Sequence, residues 1–284
     1  MTLQLLDSLS LPGNLAKPNE DAFGHSNGAA VVIDGATMLG DGLMPGPSDA
    51  AWIAQFGARR LMAHLGEGSG GRKALRAALA DTQKSFEALR RHPPEEMWQT
   101  PCASMMLAVV ISRRESEIEL LWYGDCAALV KQDDAAVAVV GEIFDKRAAE
   151  AERARRVAKE KGLSPATGLD RPEFIDVLRA TRNRINSGDT WLFSPDVRAA
   201  SHVSRRTIKV RPSTTLLLAT DGFLALASDY GAYGVDGLMA AAMDKGLAAL
   251  GEELRAIESG DSGGDRFPRF KKSDDATALL LKVS

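Results

Sequence analysis

Residues 216–222 read Leu-Leu-Leu-Ala-Thr-Asp-Gly, an unbroken apolar run that ends on a carboxylate. Residues 29–35, Ala-Ala-Val-Val-Ile-Asp-Gly, repeat that arrangement near the other end of the chain. A strand with one wet face alternates apolar and polar residues, whereas a short continuous run reads as a strand covered on both faces. Asp34 and Asp221 therefore emerge at the edge of a buried sheet. Taken singly, each Asp-Gly pair says little, because that dipeptide is also a common turn.

Outward from these two runs, strand-like and helix-like segments alternate. After the Ala29–Ile33 strand, Ser48-Asp49 offers an N-cap for a helix over about Ala50–Leu65. A glycine-rich loop, Gly66–Gly71, follows. Leu75, Leu79, Thr82, Phe86 and Leu89 then recur at helical spacing, an amphipathic helix that Pro93-Pro94 stops. Strands are expected at Ser104–Ser112, Glu117–Tyr123, Ala127–Lys131, 135–140, Thr207–Val210, Thr214–Ala219 and Ala276–Val283, with a tight turn at Gly124-Asp125. Residues 145–161 are charged and alanine-rich and read as a solvated helix. A polar loop, Ser259–Asp265, precedes the last strand. With no repeat and no linker, the pattern is one α+β domain over residues 1–284.

The 284 residues are 45% hydrophobic and 26% charged, an ordinary globular balance. The 35 Lys+Arg and 38 Asp+Glu leave a net charge of −3, so no bulk electrostatic reason to bind nucleic acid or an anionic membrane exists. The two cysteines, Cys102 and Cys126, make neither a disulfide framework nor a four-cysteine zinc site and read as small buried apolar residues. No stretch approaches the roughly 20 apolar residues that span a bilayer, and the N-terminus lacks the pattern of a signal peptide. A soluble, cytoplasmic protein is the expectation. Oligomeric state is not legible.

Acidic motifs punctuate the strand ends: Asn19-Glu20-Asp21, Asp34-Gly35, Gly124-Asp125, Asp221-Gly222 and Asp274-Asp275. Carboxylates converging at a buried edge repel one another, and a hard divalent cation removes that cost. Mg²⁺ or Mn²⁺ suits oxygen ligands of this type, and His25, His64, His92 and His202 lack ligand spacing. Such a pair of cations lowers the pKa of a shared water and stabilises charge on a phosphoryl group, so hydrolysis of a phosphomonoester needs no protein nucleophile. Neither cysteine nor Ser194 is assigned a role.

The order NEDAF at residues 19–23, VVIDG at 31–35, YGD at 123–125, LLLATDG at 216–222 and DDATALLL at 274–281 resembles the metal-dependent protein phosphatases of the PPM type, also called type 2C. The resemblance runs from about residue 14 to residue 283. It implies an αββα sandwich of two antiparallel sheets flanked by helix pairs, with two Mg²⁺ or Mn²⁺ ions in a cleft at one end. By motif, Asp34 is implied to bridge both ions, the Gly35 carbonyl to bind one, Asp221 and Asp274 to bind the other, and Asp21 to support the first ion. Asp34, Asp221 and Asp274 are thus the expected catalytic residues. Glu20 and Asp275 fall in the outer shell, although a one-residue shift of register would exchange Asp274 and Asp275. The implied substrate is a phosphoprotein, dephosphorylated at serine or threonine.

Three departures from the family pattern bear on activity. The usual motif Asp-Gly-His-Gly is Asp34-Gly35-Ala36-Thr37, so the histidine thought to protonate the leaving group is absent, a group of a type worth about 10²–10⁴-fold. The arginine that grips the substrate phosphate is replaced by Ala16, with Lys17 next to it as a point charge. A third metal would use Asp125, but its partner position is Ala225, which leaves Asp125 as a weak ligand. Residues 142–190 stand where the family carries a flap, and they hold Lys146, Arg147, Arg153, Arg155, Arg156, Lys159, Lys161, Arg171, Arg179, Arg182 and Arg184. A solvated face or a contact for an acidic or phosphorylated partner both fit these charges. Three functions compete: an active phosphoprotein phosphatase, a pseudophosphatase that only binds phosphoproteins, and a phosphatase of small metabolites.

Overall fold

Among the described residues ten strands form two antiparallel sheets, built around inner strands such as residues 29–33 and 216–219 that are apolar on both faces. The computed structural model describes residues 1–112, 116–142, 152, 156, 172–264, 266, 267, 269 and 271–284. In chain order the strands are β1 (Leu3–Leu11), β2 (Asp21–Ser26), β3 (Ala29–Gly35), β4 (Ala103–Ser112), β5 (Glu117–Tyr123), β6 (Ala127–Lys131), β7 (Ala138–Val140), β8 (Ser204–Lys209), β9 (Thr215–Ala219) and β10 (Ala276–Val283). Six α-helices are described: α1 (Asp49–Gly66), α2 (Gly71–Leu89), α3 (Pro172–Arg182), α4 (Asp221–Ser228), α5 (Val235–Lys245) and α6 (Leu247–Gly260). One sheet runs β1-β10-β9-β6-β7, the other β2-β3-β4-β5-β8.

The two apolar runs behave as their continuity requires. In β3, Val31 and Ile33 face α1 and α2, packing with Ile53, Leu61, Leu75 and Leu79. Val32, one residue out of phase, faces the second sheet and joins Met106, Leu120, Leu216, Leu218, Leu279 and Leu281. In β9, Leu217 and Ala219 face α4, α5 and α6 through Phe223, Leu238, Leu247 and Leu254. The result is the expected helix–sheet–sheet–helix sandwich. Both faces of each inner strand are dry, so period-two side-chain alternation runs apolar to apolar.

Most expected elements stand within a few residues of their expected places. Ser48 caps α1, its side chain accepting from the Ala51 N–H. Helix α2 ends at Leu89, where Arg90 turns extended (φ −60°, ψ 141°), so Pro93-Pro94 lies beyond the stop rather than making it. The strand expected over 135–140 shortens to Ala138–Val140, and β8 starts at Ser204, three residues before the expected Thr207. Strands β1 and β2 were not expected; α3 falls inside the segment read as a flap. The helix expected over 145–161 lies almost wholly outside the described residues, as do Lys146, Arg147, Arg153, Arg155, Lys159, Lys161 and Arg171. No helix among the described residues is long and apolar enough to cross a membrane.

Candidate metal centre

Strand register builds the first half of the site. Asp21 of β2 pairs with Asp34 of β3, and Asp34 pairs with Ser104 of β4. These three residues form a row across the end of one sheet. Gly124-Asp125 turns the chain from β5 in that sheet to β6 in the other, with Gly124 at φ +68°. The turn brings Asp125 to the row, where Ser104 Oγ donates to Asp125 Oδ1 at 2.6 Å. From the second sheet, β9 delivers Asp221 at the start of α4. Carboxylate oxygens of Asp34, Asp125 and Asp221 all lie within 4.8 Å of one another.

Two glycines beside these acids serve close approach rather than turns. A Cβ on Gly35, the last residue of β3, would sit 2.2 Å from the Ala50 carbonyl oxygen of α1. A Cβ on Gly222 would sit 1.9 Å from the carbonyl oxygen of Asp275. Both atoms are backbone, so neither can yield. The Asp-Gly motifs therefore let a helix and a loop press against the carboxylates.

Asp21 is buried, with 4% of its surface exposed. Its Oδ2 accepts from Thr220 Oγ at 2.8 Å, and the same hydroxyl accepts from the Thr277 N–H at 2.9 Å, so Thr220 stitches the two sheets together at the site. Asp21 Oδ1 is buried without a hydrogen-bond partner. Burial, and after it the Asp274 and Asp275 charges, hold the Asp21 carboxyl well above the usual carboxylate range despite the Thr220 bond. Asp34 is likewise pushed well up, first by burial and then by Asp221, Asp21, Asp274 and Asp125. An orphaned buried oxygen beside an all-oxygen cluster of like charges is what a divalent cation satisfies, so Mg²⁺ or Mn²⁺ fits the residues present.

Asp274 and Asp275 separate cleanly. Asp275 accepts the Gly13 N–H on Oδ1 and the Glu20 N–H on Oδ2, each at 2.6 Å, and so ties the loop between β1 and β2 to the start of β10. Asp274 Oδ1 instead meets Lys271 Nζ at 2.7 Å, and its carbonyl is held by Arg255 of α6 at 2.9 Å. Partial burial pulls the Lys271 ammonium down, but Asp274, Asp34 and Asp221 outweigh it and keep the proton on. Glu20 accepts the hydroxyls of Thr37 (2.6 Å) and Ser48 (2.7 Å), which fixes the loop after β3 to the cap of α1. Lys17 is exposed on the β1–β2 loop. Ala36 lines a small cavity, about 20 Å³, with Met38, Trp98, Thr100 and Arg182. Thr220, Ser104, Lys271 and Arg255 went unnoticed in the sequence. Only the Thr-Asp-Gly run hinted at one of them.

Cys102 and Cys126 are both buried, and burial raises both thiols. That burial is as expected of small apolar residues.

The profile of the family described as protein phosphatase 2C matches residues 16–255. The chain belongs to the protein phosphatase 2C family. Solved structures with the same fold include the serine/threonine phosphatase PstP/Ppp of Mycobacterium tuberculosis, 14% identical over 100% of both chains with a TM-score of 0.59. Another is the PPM Ser-Thr phosphatase MsPP of Mycobacterium smegmatis, in complex with cacodylate, 14% identical over 99% of this chain and 100% of that one, TM-score 0.57. The catalytic domain of PstP in complex with two manganese ions is 14% identical over 99% of this chain and 98% of its own, TM-score 0.53. A search of the curated proteins returned no match. At the two positions where the resemblance led to the expectation of a histidine and an arginine, this protein phosphatase 2C family member has Ala36 and Ala16.

Proposed function

We propose that the chain, acting as one domain over its 284 residues, is a metal-dependent protein serine/threonine phosphatase whose substrate is a phosphoprotein. The observation that carries this reading is the convergence of Asp34, Asp125 and Asp221 beside Asp21, whose buried Oδ1 lacks a partner. Asp34, central in the row, would be shared by two Mg²⁺ or Mn²⁺ ions, with the Gly35 carbonyl and Asp21 holding one of them, Asp221 and Asp274 the other, and Asp125 serving as a weaker ligand. Bound there, the ions supply an activated water and neutralise the phosphoryl oxygens. Glu20 and Asp275 act outside this shell, as the ties that hold the loops. The manganese-bound relative supports the choice of metal.

Lys17, the only basic residue beside the missing arginine position, is the proposed phosphate contact. Ala36 leaves the leaving group without a side-chain acid, so good leaving groups are favoured over alkyl phosphoesters. The deciding experiment is hydrolysis of an aryl phosphate and of a phosphothreonine peptide over a manganese titration. Turnover that EDTA abolishes, and that Asp34→Asn lowers at least about 100-fold, is the expected result. Metal-independent turnover overturns the proposal. Ala16 and Ala36 favour a second reading, a pseudophosphatase: stoichiometric phosphopeptide binding with no turnover at any metal concentration would establish it instead.

A further inference from the structure

The acids of the cleft fall into two unequal halves. Asp34, Asp125 and Asp221 draw together with oxygens within 4.8 Å, and Asp274 is not among them. Asp274 instead faces a cation the chain itself supplies. Lys271 Nζ sits 2.7 Å from Asp274 Oδ1, with both side chains about one-third exposed, at 33% and 31%. Lys271 and Asp274 are three residues apart on the loop that enters β10, so the pair is local and forms whenever the loop is in place. The Asp274 main chain cannot drift away from it: Arg255 holds the carbonyl, and the Gly222–Asp275 approach leaves no room.

Resting on the two-ion reading above, we propose that Lys271 is a tethered cation that holds Asp274 until a second divalent ion displaces it, so that the cleft loads its ions in order. The first ion enters at Asp34, beside the buried, unpartnered Oδ1 of Asp21 and the Gly35 carbonyl. The second needs Asp274, and must compete with an ammonium held at very high effective concentration by a three-residue link. A monovalent ammonium on a flexible stem is a weaker partner for a carboxylate than a divalent ion, so the displacement proceeds as the ion concentration rises. The exposed side of the pair gives Lys271 a place to go.

Binding of Mn²⁺ to the metal-stripped full chain, read from loss of the free-Mn²⁺ electron paramagnetic resonance signal, tests this without any activity. The wild type is expected to bind in a tighter and a weaker step. Lys271→Met should tighten the weaker step about tenfold and leave the tighter one unchanged, and Lys271→Arg should restore two separated steps. Lys271→Gln, with circular dichroism to confirm folding, guards against a local effect of the methionine. Identical isotherms for wild type, Met and Gln variants overturn the proposal. Asp34→Asn separates the two levels of argument: if it leaves Mn²⁺ binding intact, the metal reading itself fails and this inference falls with it. If Asp34→Asn abolishes binding while Lys271 variants change nothing, only the tethered-cation inference falls.

Discussion

Asp21 and Asp34 carry an electrostatic cost whose sign is measurable. Burial and neighbouring carboxylates raise both groups in the folded chain, whereas in the unfolded chain they titrate near an ordinary carboxylate value of about 3.9. The folded state thus binds protons more tightly than the unfolded state. Their contribution to stability is fully present below the unfolded value and is lost as pH rises through the raised folded values. The metal-stripped protein should lose stability from mildly acidic pH upward, and Asp34→Asn should flatten that loss and raise the stripped protein's Tm at pH 8. A pH series of thermal melts with chelator checks both; an unchanged Tm in Asp34→Asn contradicts the electrostatic account. Ala36 stands where the proposed mechanism would place a leaving-group acid. Ala36→His places an imidazole beside the existing cavity and should raise kcat on a phosphothreonine peptide by about 10-fold or more, with a much smaller gain on an aryl phosphate. Comparing the two substrates isolates leaving-group protonation from any change in binding.

Among the elements, α3 has a task the sequence hid. Arg179 donates through Nε and a terminal nitrogen to the Leu39 carbonyl, at 3.1 and 2.6 Å, and lies 4.3 Å over the Trp98 ring. Arg182 donates to the Thr37 carbonyl at 2.8 Å. One helix therefore grips the loop that follows Asp34-Gly35-Ala36, and two arginines read from sequence as solvent or partner contacts prove to be internal clamps. Arg179→Ala should cost about 2 kcal/mol, since a charge-assisted bond of this kind is worth roughly 1.5–3 kcal/mol, and should appear as a lower urea midpoint with an unchanged m value. The inner strands were legible because continuous apolar runs at 29–33 and 216–219 admit few alternatives. Strand β1 was not, because Leu3–Leu11 is an edge strand pairing only with β10, and its burial alternates weakly. Strand β2, Asp-Ala-Phe-Gly-His-Ser, is polar enough to pass for a loop. The site acids were legible as motifs at strand ends, whereas Thr220, Ser104 and Lys271 were not. Their roles exist only once β2, β3, β4 and β10 are brought side by side.

At the scale of the molecule, the two sheets are joined by polar contacts at the acidic end of the sandwich. Elsewhere Val32, Met106, Leu218 and Leu279 seal the interface. At the cleft end the sheets meet through Thr220 and Asp21, and the Asp275 strap from the β1–β2 loop to β10 completes the join. Acids from both sheets crowd there, so the interface that holds the fold together also bears the charge that opposes it. An ion that binds only the folded chain must then stabilise the whole sandwich by mass action, about 2.7 kcal/mol at a free concentration of 100 times Kd. For a chain of this size, with roughly 2 °C gained per kcal/mol, Mn²⁺ should raise Tm by about 5 °C. Asp34→Asn should abolish the rise even though its stripped form melts higher than the wild type. Thr220→Val, which removes the stitch but no proposed ligand, should lower Tm with and without Mn²⁺ by a similar amount and keep most of the metal-dependent gain. Differential scanning calorimetry of the three proteins at saturating and zero Mn²⁺ distinguishes these outcomes, and a metal-dependent gain that survives Asp34→Asn would break the link between the acidic row and the ion.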